Sequence, residues 1–267
     1  MSMSINNQLV TLSREYYISA GTNEANKIVA SVNTLKKRLK SYFEEEVIDV
    51  IEFGSYKRDT ILPRYYDDNS DVDLMVVFDH ENIDVNPSTY RNYLVEFSED
   101  YYGNSIFYKS LPTLVLELDH IKYDLVPAYQ RAGYVFSSSV VTYIPESDRD
   151  WMETDPHGFN TSLTQKNQNN YNQIKPLIRL MKAWNAKVGY PIESFTLEKE
   201  IVNDGYFSST LEEYFFSFIR GISTYRDSTN ASQKVIALKE NANRVVQALY
   251  NNNIDQANTW LSHILPL

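Results

Sequence analysis

The alternation of apolar and polar residues predicts helices and strands in turn along the first part of the chain. From Asn23 to about Glu46, apolar residues recur three or four positions apart, which predicts one long amphipathic helix. Two short apolar runs, Val47 to Phe53 and Val72 to Phe78, have the length and composition of core strands. A helical spacing returns from Pro87 to Tyr101, with the proline near the helix start.

Two β-rich runs lie close together in the middle of the chain. They extend from Thr113 to Leu118 and from Ile121 to Val126, a spacing that predicts a tight hairpin around Asp119-His120. The second run contains one acid, Asp124, among apolar residues. A carboxylate in such a strand is costly to bury without a partner, so Asp124 is a candidate functional residue.

Helical patterns dominate the last part of the chain, after a loop-like passage that contains Pro145, Trp151 and Pro156. The stretch from Tyr171 to Lys187 has one broad apolar face and predicts the central helix of a helical lobe, with Pro176 at a kink or in the first turn. Further helices are predicted for Thr196–Val202, Leu211–Ile222, Val235–Tyr250 and Ile254–Leu265.

These patterns predict an α/β (α+β) protein with two lobes around one cleft. We expect residues 1–158 to form a core with a mixed β-sheet and the long N-terminal helix, and residues 159–267 to form a helical lobe that completes the cleft. The 267 residues, 43% of them hydrophobic, suffice for one large or two modest globular units.

Composition excludes several classes of function. The absence of cysteine excludes disulfides, zinc-thiolate sites and thiol nucleophiles, and the four histidines lack the spacing of a zinc site. A net charge of −10 argues against a protein that coats nucleic acid. No apolar run approaches the roughly 20 residues of a membrane-spanning helix, and no signal peptide is evident, so we expect a cytoplasmic protein without a membrane partner.

The most informative stretch runs from Val50 to Phe78. Asp71 and Asp73 alternate at the start of a predicted strand, so their side chains share a face, and two such carboxylates repel each other unless a cation lies between them. The preceding Gly54-Ser55 pair suits a turn whose N–H groups hold a phosphate. If Asp124 converges on this pair, three carboxylates suffice for two Mg²⁺ ions, which indicates phosphoryl or nucleotidyl transfer.

Other motifs in the same stretch do not fit. Asp67, Asn69 and Asp71 have the alternation of a calcium-binding EF-hand, but Val72 replaces the required glycine and Phe78 replaces the glutamate. The sequence has no GxxxxGK[ST], GxGxxG or GxSxG motif. It therefore gives no support for a P-loop ATPase, a dinucleotide-binding protein or an α/β-hydrolase, respectively.

Three motifs resemble those of the polymerase-β-type nucleotidyltransferases: Phe53-Gly54-Ser55, Ser70-Asp71-Val72-Asp73-Leu74, and the run from Tyr123 to Ala128. Within that superfamily, the chain is most similar to the bacterial cGAS/DncV-like nucleotidyltransferases (CD-NTases, with SMODS domains). These are relatives of oligoadenylate synthase that make cyclic di- and trinucleotides in anti-phage (CBASS) signalling. The resemblance spans roughly Ile51 to Glu198, with supporting segments at Ile144-Pro145, Trp151, Lys175–Trp184 and Ser194–Glu198.

The resemblance implies a polymerase-β-like core and a role for each matching residue. Asp71, Asp73 and Asp124 would bind two Mg²⁺ or Mn²⁺ ions, and Asp124 would also help to deprotonate the attacking ribose hydroxyl. The implied nucleotide contacts are Gly54 and Ser55 to the β- and γ-phosphates, Lys182 and Ser194 to the triphosphate, and Phe195 to a base.

The chain also departs from the family pattern. Many members have a glycine a few residues after the Gly-Ser pair, whereas this chain has Lys57-Arg58-Asp59-Thr60 and a long loop before Asp71. That loop bears on how the phosphates are covered, and the Lys57-Arg58 pair is a candidate phosphate contact.

The sequence therefore predicts a metal-dependent nucleotidyltransferase that joins NTPs into a cyclic dinucleotide or cyclic oligonucleotide messenger. Its expected partners are NTP substrates and an activator or effector protein. Two alternatives remain open. In the first, the enzyme transfers the nucleotide to a tRNA end or to a protein hydroxyl. In the second, the protein binds nucleotides as a regulator without turnover.

Overall fold

The computed structural model describes residues 4–80, 86–132 and 140–267. The chain divides into two compact units, neither of which is continuous in sequence. The sheet unit consists of Ala20–Arg58 and Asn69–Asn160, and the helical unit consists of Met1–Ser19, Asp59–Asp68 and Thr161–Leu267. The sequence pattern predicts one boundary, between residues 158 and 159. In the structure, two earlier segments also group with the later helices.

The secondary structure in the described residues is mainly helical. Its helices are α1 (Ile5–Glu15), α2 (Asn23–Phe43), α3 (Gly54–Lys57), α4 (Pro87–Tyr102), α5 (Gly158–Asn169), α6 (Ile174–Lys187), α7 (Ser194–Asn203), α8 (Leu211–Gly221), α9 (Thr229–Tyr250) and α10 (Ile254–Ile264). Its strands are β1 (Val47–Phe53), β2 (Asp71–Phe78), β3 (Ile106–Ser110), β4 (Thr113–Glu117), β5 (Lys122–Ala132), β6 (Val140–Pro145) and β7 (Trp151–Thr154). Within those ranges, no helix combines the length and apolar character needed to cross a membrane.

A mixed seven-stranded sheet forms the centre of the sheet unit. Its main path has the order β1-β2-β5-β4-β3, and β6 extends it from the later part of β5 to reach β7. The β2–β5 pair is parallel, and the other pairs in the described residues are antiparallel. The mixed sheet predicted from the sequence is therefore confirmed.

Helices α2 and α4 cover one face of this sheet. Alternate residues of β2, including Val72 and Leu74, are fully buried on that face. The ring of Phe78 at the end of β2 lies 5.2 Å from that of Phe43 in α2 and 4.5 Å from that of Tyr90 in α4. Burial of this face turns the intervening residues of β2, beginning with Asp71 and Asp73, to the opposite face.

Helix α2 follows the predicted pattern closely. The apolar positions expected to face the core are all buried: Ile28, Val32, Leu35, Leu39 and Phe43. The side chain of Thr22 accepts a hydrogen bond from the N–H of Ala25 and so caps the helix start. The helix ends three residues earlier than predicted, where Glu44–Glu46 form a 3₁₀ turn and Glu44 has a φ of 50°.

The broad apolar face predicted for the stretch from Tyr171 to Lys187 is buried in helix α6 of the helical unit. Ile174, Leu177, Ile178 and Met181 are fully buried. The helix starts at Ile174, so Pro176 lies in the first turn, where its missing N–H costs no helical hydrogen bond.

The prediction of a loop around Pro145 and Trp151 is wrong in one respect, because this stretch contains β6 and β7. These short strands pair antiparallel from Thr142–Thr154 to Pro145–Trp151 and are joined by a tight turn. In that turn the hydroxyl of Ser147 accepts from the N–H of Arg149 and Asp150. β6 also pairs with the later part of β5, from Tyr129–Tyr143 to Ala132–Val140, and so joins this hairpin to the sheet.

Candidate functional site

The parallel pairing of β2 with β5 brings the predicted carboxylates together on one face of the sheet. Asp73 is the register partner of Asp124, and Asp71 is the partner of Lys122. Residues directly opposite each other in a sheet point to the same side, so the three acids and Lys122 share a face. Each acid is partly exposed.

A small hydrophobic cluster continues the same face beyond the acids. Met75, Val77, Val126 and Ala128 are buried there with Ile144, and Ile51 and Phe53 of β1 pack against them. The carboxylates therefore lie at the edge of a buried apolar cluster, where charges are less well solvated and interactions between charges are stronger than in water.

This setting changes the acidity of Asp124. Burial raises the pKa of Asp124 to about 7, the negative charge of Asp71 adds to the increase, and the positive charge of Lys122 opposes it. The ammonium group of Lys122 also lies 3.8 Å from a carboxylate oxygen of Glu117. A carboxyl group with a pKa near neutrality is suited to accept a proton under physiological conditions.

Gly54 lies directly against the carboxylate of Asp73. Its φ is +69°, and a Cβ atom placed there would lie 1.6 Å from Oδ2 of Asp73. Any other residue would collide with the carboxylate and would also strain the backbone. The Gly54-Ser55 pair, expected to form a turn, begins the single-turn helix α3, so β1 and β2 place this short helix next to the acids.

The side chains do not form a ready metal cage. Among the described residues, no three His, Cys, Asp or Glu side chains are grouped closely enough to hold a metal ion. The strand register nevertheless places Asp73 opposite Asp124, with Asp71 two residues away on the same face. The three acids therefore fit a site for a hard divalent cation in two respects: their backbone positions are adjacent, and they offer only oxygen ligands.

In the helical unit, Lys182 takes part in a buried ion pair. Its ammonium group lies 3.4 Å from a carboxylate oxygen of Glu198, and the side chains are 7% and 1% exposed. The same oxygen of Glu198 accepts a hydrogen bond of 2.8 Å from the hydroxyl of Thr60. The sequence motif included Glu198 without giving it a role, and its partners became apparent only from the structure.

Ser194 and Phe195 begin helix α7 of the same unit. The carboxylate of Glu193 caps this helix by accepting hydrogen bonds from the N–H groups of Phe195 and Thr196. Phe195 is 39% exposed, and the ammonium group of Lys199 lies 4.7 Å from the centre of its ring. Phe195 is therefore a surface aromatic residue.

Most of the long loop that departs from the family pattern, Asp59–Asp68, belongs to the helical unit. Its residues from Thr60 to Pro63 are buried. At one end, the carboxylate of Asp59 lies 2.7 Å from the ammonium of Lys175. The backbone carbonyl of Asp59 accepts a 2.9 Å hydrogen bond from the guanidinium of Arg179. At the other end, Tyr190 donates a 2.5 Å hydrogen bond to Asp67.

Comparison with known proteins supports the resemblance seen in the sequence. A family model described as "Second Messenger Oligonucleotide or Dinucleotide Synthetase domain" (SMODS) matches residues 3–167. A probable cyclic nucleotide synthase of Bacillus cereus is 28% identical over 114 residues. That match covers 40% of this chain and 34% of the relative, so the chain aligns with about a third of the relative's length.

Solved structures of similar proteins share the fold. The cyclic AMP-GMP synthase DncV of Vibrio cholerae has a TM-score of 0.73 at 12% identity, with 100% of this chain and 97% of that chain covered. CdnC of Escherichia coli, solved with ATP, has a TM-score of 0.70 at 14% identity, with 96% of each chain covered. The cyclic dinucleotide synthase CdnE of Elizabethkingia meningoseptica has a TM-score of 0.64 at 16% identity, with 88% and 96% covered.

The expected polymerase-β-like fold is thereby confirmed. The family model covers more than half of the chain, including Gly54-Ser55 and the three acids. By this match, the chain belongs to the SMODS family of second messenger oligonucleotide or dinucleotide synthetase domains.

Proposed function

We propose that this protein is a metal-dependent nucleotidyltransferase that joins NTPs into a cyclic dinucleotide or cyclic oligonucleotide second messenger. The observation that carries the proposal is the pairing of Asp73 with Asp124 across the parallel strands, with Asp71 on the same face and Gly54 against Asp73. Membership of the SMODS family supports the same reaction.

Asp71, Asp73 and Asp124 are the proposed ligands of two Mg²⁺ or Mn²⁺ ions. Their oxygen donors suit hard divalent cations, which keep several waters and take further oxygen ligands from a triphosphate. Such ions, when bound, would neutralise negative charge on the attacking and leaving oxygens of the transfer. The repulsion between Asp71 and Asp124, evident in the raised pKa of Asp124, is the property that a bound cation would relieve.

Asp124 is the proposed proton acceptor. A ribose hydroxyl of one nucleotide would give its proton to the Asp124 carboxylate as its oxygen forms a bond to the α-phosphorus of the other. The bond from that phosphorus to the β-phosphate oxygen would break, and pyrophosphate would leave. A second transfer of the same kind would close a ring. Without a bound cation, burial raises the pKa of Asp124 to about 7. A bound divalent cation would favour the ionised carboxylate, which is the form that accepts a proton.

Gly54 and Ser55 are the proposed contacts to the β- and γ-phosphates. The absence of a side chain at Gly54 lets the backbone of α3 lie against Asp73, so a phosphate held by N–H groups here would be close to the acids. Lys182, Ser194 and Phe195 stay predicted nucleotide contacts. The exposure of Phe195 is compatible with stacking on a base.

NTPs are the proposed substrates, in line with structures of relatives. CdnC was solved with ATP, and DncV was solved with the linear intermediate 5′ pppA(3′,5′)pG. A linear intermediate is what the first of two transfers would leave. CdnC of Escherichia coli was also solved in a complex with HORMA, which supports the further proposal that this chain has a protein partner. The role of that partner as activator or effector in anti-phage signalling stays a prediction from the family resemblance.

The test is to incubate the purified protein with all four NTPs and Mg²⁺ or Mn²⁺, treat the mixture with phosphatase, and identify the resistant products by mass spectrometry. We expect cyclic species, because a ring has no terminal phosphate for phosphatase to remove. NMP transfer to added tRNA or to a protein hydroxyl would replace this proposal with the alternative acceptors. Nucleotide binding with every NTP returned intact would favour a regulator without turnover.

A further inference from the structure

The chemistry proposed above gives a role to Lys182 but none to Glu198, the partner of Lys182 in a buried ion pair. The side chain of Glu198 is 1% exposed and that of Lys182 is 7% exposed. Removing two opposite charges from water is expensive, and a well-packed apolar pair often stabilises a fold equally well. A buried pair of this kind is therefore weak evidence for a purely structural role.

The geometry of Glu198 links two segments of the helical unit that are distant in sequence. One carboxylate oxygen is 2.8 Å from the hydroxyl of Thr60, in the loop that follows Gly54-Ser55, and 3.4 Å from the ammonium of Lys182, in α6. Thr60 itself is fully buried. A single carboxylate therefore fixes both a lysine predicted to contact the triphosphate and a residue of the loop between the two sequence motifs.

The loop is also anchored on either side of Thr60. Asp59 pairs with Lys175 and receives a hydrogen bond from Arg179, both of them residues of α6. Ile61 and Leu62 are buried directly after Thr60. The contact with Glu198 is thus the polar centre of a packed segment, and Thr60 has little freedom to move independently of α6 and α7.

We propose that Glu198 is a positioning residue for nucleotide binding, acting through Lys182 and Thr60. This inference rests on the proposed function, because it takes Lys182 as a contact of the triphosphate. A lysine ammonium has three N–H donors, so the bond to Glu198 leaves donors for phosphate oxygens while it fixes where they point.

Glu198→Gln and Thr60→Val test the inference. Glu198→Gln keeps the size of the side chain but removes its charge, and Thr60→Val keeps the shape but removes the hydroxyl. Thr60→Ser retains the hydroxyl and is the conservative control. Glu200→Gln is a matched control in the same helix, because Glu200 also forms an ion pair, with Arg226 at 2.5 Å.

The primary measurement is the affinity of each full-length variant for a non-hydrolysable ATP analogue with Mg²⁺, by isothermal titration calorimetry, with circular dichroism to confirm folding. We expect Glu198→Gln and Thr60→Val to bind the analogue at least about tenfold more weakly than the parent, while Thr60→Ser and Glu200→Gln retain its affinity. In turnover assays the loss should fall on KM more than on kcat. A merely structural role would lower the unfolding temperature and leave the affinity of the folded protein unchanged.

Parental affinity in folded Glu198→Gln would overturn the inference, and if that variant does not fold, parental affinity in Thr60→Val would do so. Failure of the proposed function is separately visible in the parent. If the parent binds the analogue but makes no cyclic product, the synthase activity fails, and weaker binding by Glu198→Gln still supports the positioning role. A parent that binds no nucleotide contradicts both.

Discussion

Asp73 and Asp124 are direct partners in the parallel pairing of β2 with β5. They are 51 positions apart in sequence, yet their side chains lie on the same face of the sheet, beside that of Asp71. This relationship turns an Asp-x-Asp motif, which occurs in many loops, into a group of three carboxylates with the ligand type that divalent cations prefer. The chemistry proposed here depends on it.

The raised pKa of Asp124 predicts a specific dependence of stability on pH. In the unfolded chain an aspartate has a pKa of about 3.9, whereas in the folded protein the pKa of Asp124 is about 7. Between these values the folded state binds more protons than the unfolded state, so the free energy of unfolding should fall as pH rises through this window. Asp124→Asn removes this contribution.

Urea denaturation in EDTA at pH 5 and pH 8 measures the effect. We expect Asp124→Asn to gain stability relative to the parent at pH 8, and to gain less at pH 5. An equal change at both values would contradict the account, because a purely steric effect of the substitution does not depend on protonation.

The glycine at position 54 should resist substitution more than other glycines with positive φ. Gly54→Ala would place a methyl group 1.6 Å from Oδ2 of Asp73 at a φ of +69°. Gly21 is a matched control in the same unit, because its φ is +85° and nothing lies within 4 Å of an added Cβ. Gly21→Ala should cost about 1–2 kcal/mol, the usual strain of a left-handed residue.

Gly54→Ala should cost more than Gly21→Ala and should also weaken Mg²⁺-dependent nucleotide binding. The free energy of unfolding and calorimetry with an ATP analogue provide the two measurements. Equal stability losses and unchanged nucleotide affinity in both variants would show that the contact with Asp73 has no functional consequence.

Arg179 is predicted to be a major source of stability in the helical unit. It is buried, donates to the carbonyls of Ser13 and Asp59, and lies 4.8 Å from the ring of Tyr17. Arg179→Met would leave two carbonyls without these donors and should cost about 2–4 kcal/mol. Exposed Arg244, 4.4 Å from the ring of Trp260, is the control, and Arg244→Met should cost less than about 1 kcal/mol.

Chemical denaturation of the two arginine variants distinguishes a buried hydrogen-bonding role from a surface cation–π contact. Similar losses would mean that the two carbonyl contacts of Arg179 contribute little to stability.

Phe195 should affect nucleotide binding without a large effect on folding. It is 39% exposed at the start of α7, so Phe195→Ala should cost less stability than the same change at a fully buried phenylalanine such as Phe215. If Phe195 stacks on a base, its loss should weaken binding of an ATP analogue by about 1–3 kcal/mol. Phe207→Ala is the control, because Phe207 is a fully exposed aromatic residue of the same unit. Equal affinities of the two variants in calorimetry would remove Phe195 from the nucleotide site.

Local periodicity was enough to predict much of the fold. The predicted strand Val47–Phe53 coincides with β1, and α2 and α4 match their predicted helices to within a few residues. Helices α2 and α4 each have one apolar face at helical spacing, and β1 is a short run rich in apolar residues, so each is recognisable from its own stretch of sequence. The hairpin of β4 and β5 was predictable for the same reason, because its strands are separated by a short polar turn.

Elements that depend on distant partners were not predictable from local pattern. β6 and β7 are short strands, and β6 joins the sheet by pairing with the later part of β5. The loop after Gly54-Ser55 gave no sign that Thr60 would be buried against Glu198, 138 positions away. The apolar Ile61-Leu62 pair was the one available signal, since two such residues in a polar loop require a core to pack against.

The candidate site likewise has features that the sequence predicts and features that only the fold reveals. Asp71 and Asp73 share a face because side chains alternate along a strand, a property that the sequence reveals directly. The pairing of Asp73 with Asp124 and the contact of Gly54 with Asp73 depend on strand order and register, and they required the three-dimensional fold.

The most direct test of the central claim is product formation by Asp71→Asn/Asp73→Asn, with exposed Asp119→Asn as the control. Each purified protein is incubated with four NTPs and Mg²⁺ or Mn²⁺, and phosphatase-resistant products are identified by mass spectrometry. We expect the parent and Asp119→Asn to make cyclic nucleotides and the double variant to make none. Cyclic product from the double variant would contradict the assignment of these carboxylates to the catalytic centre.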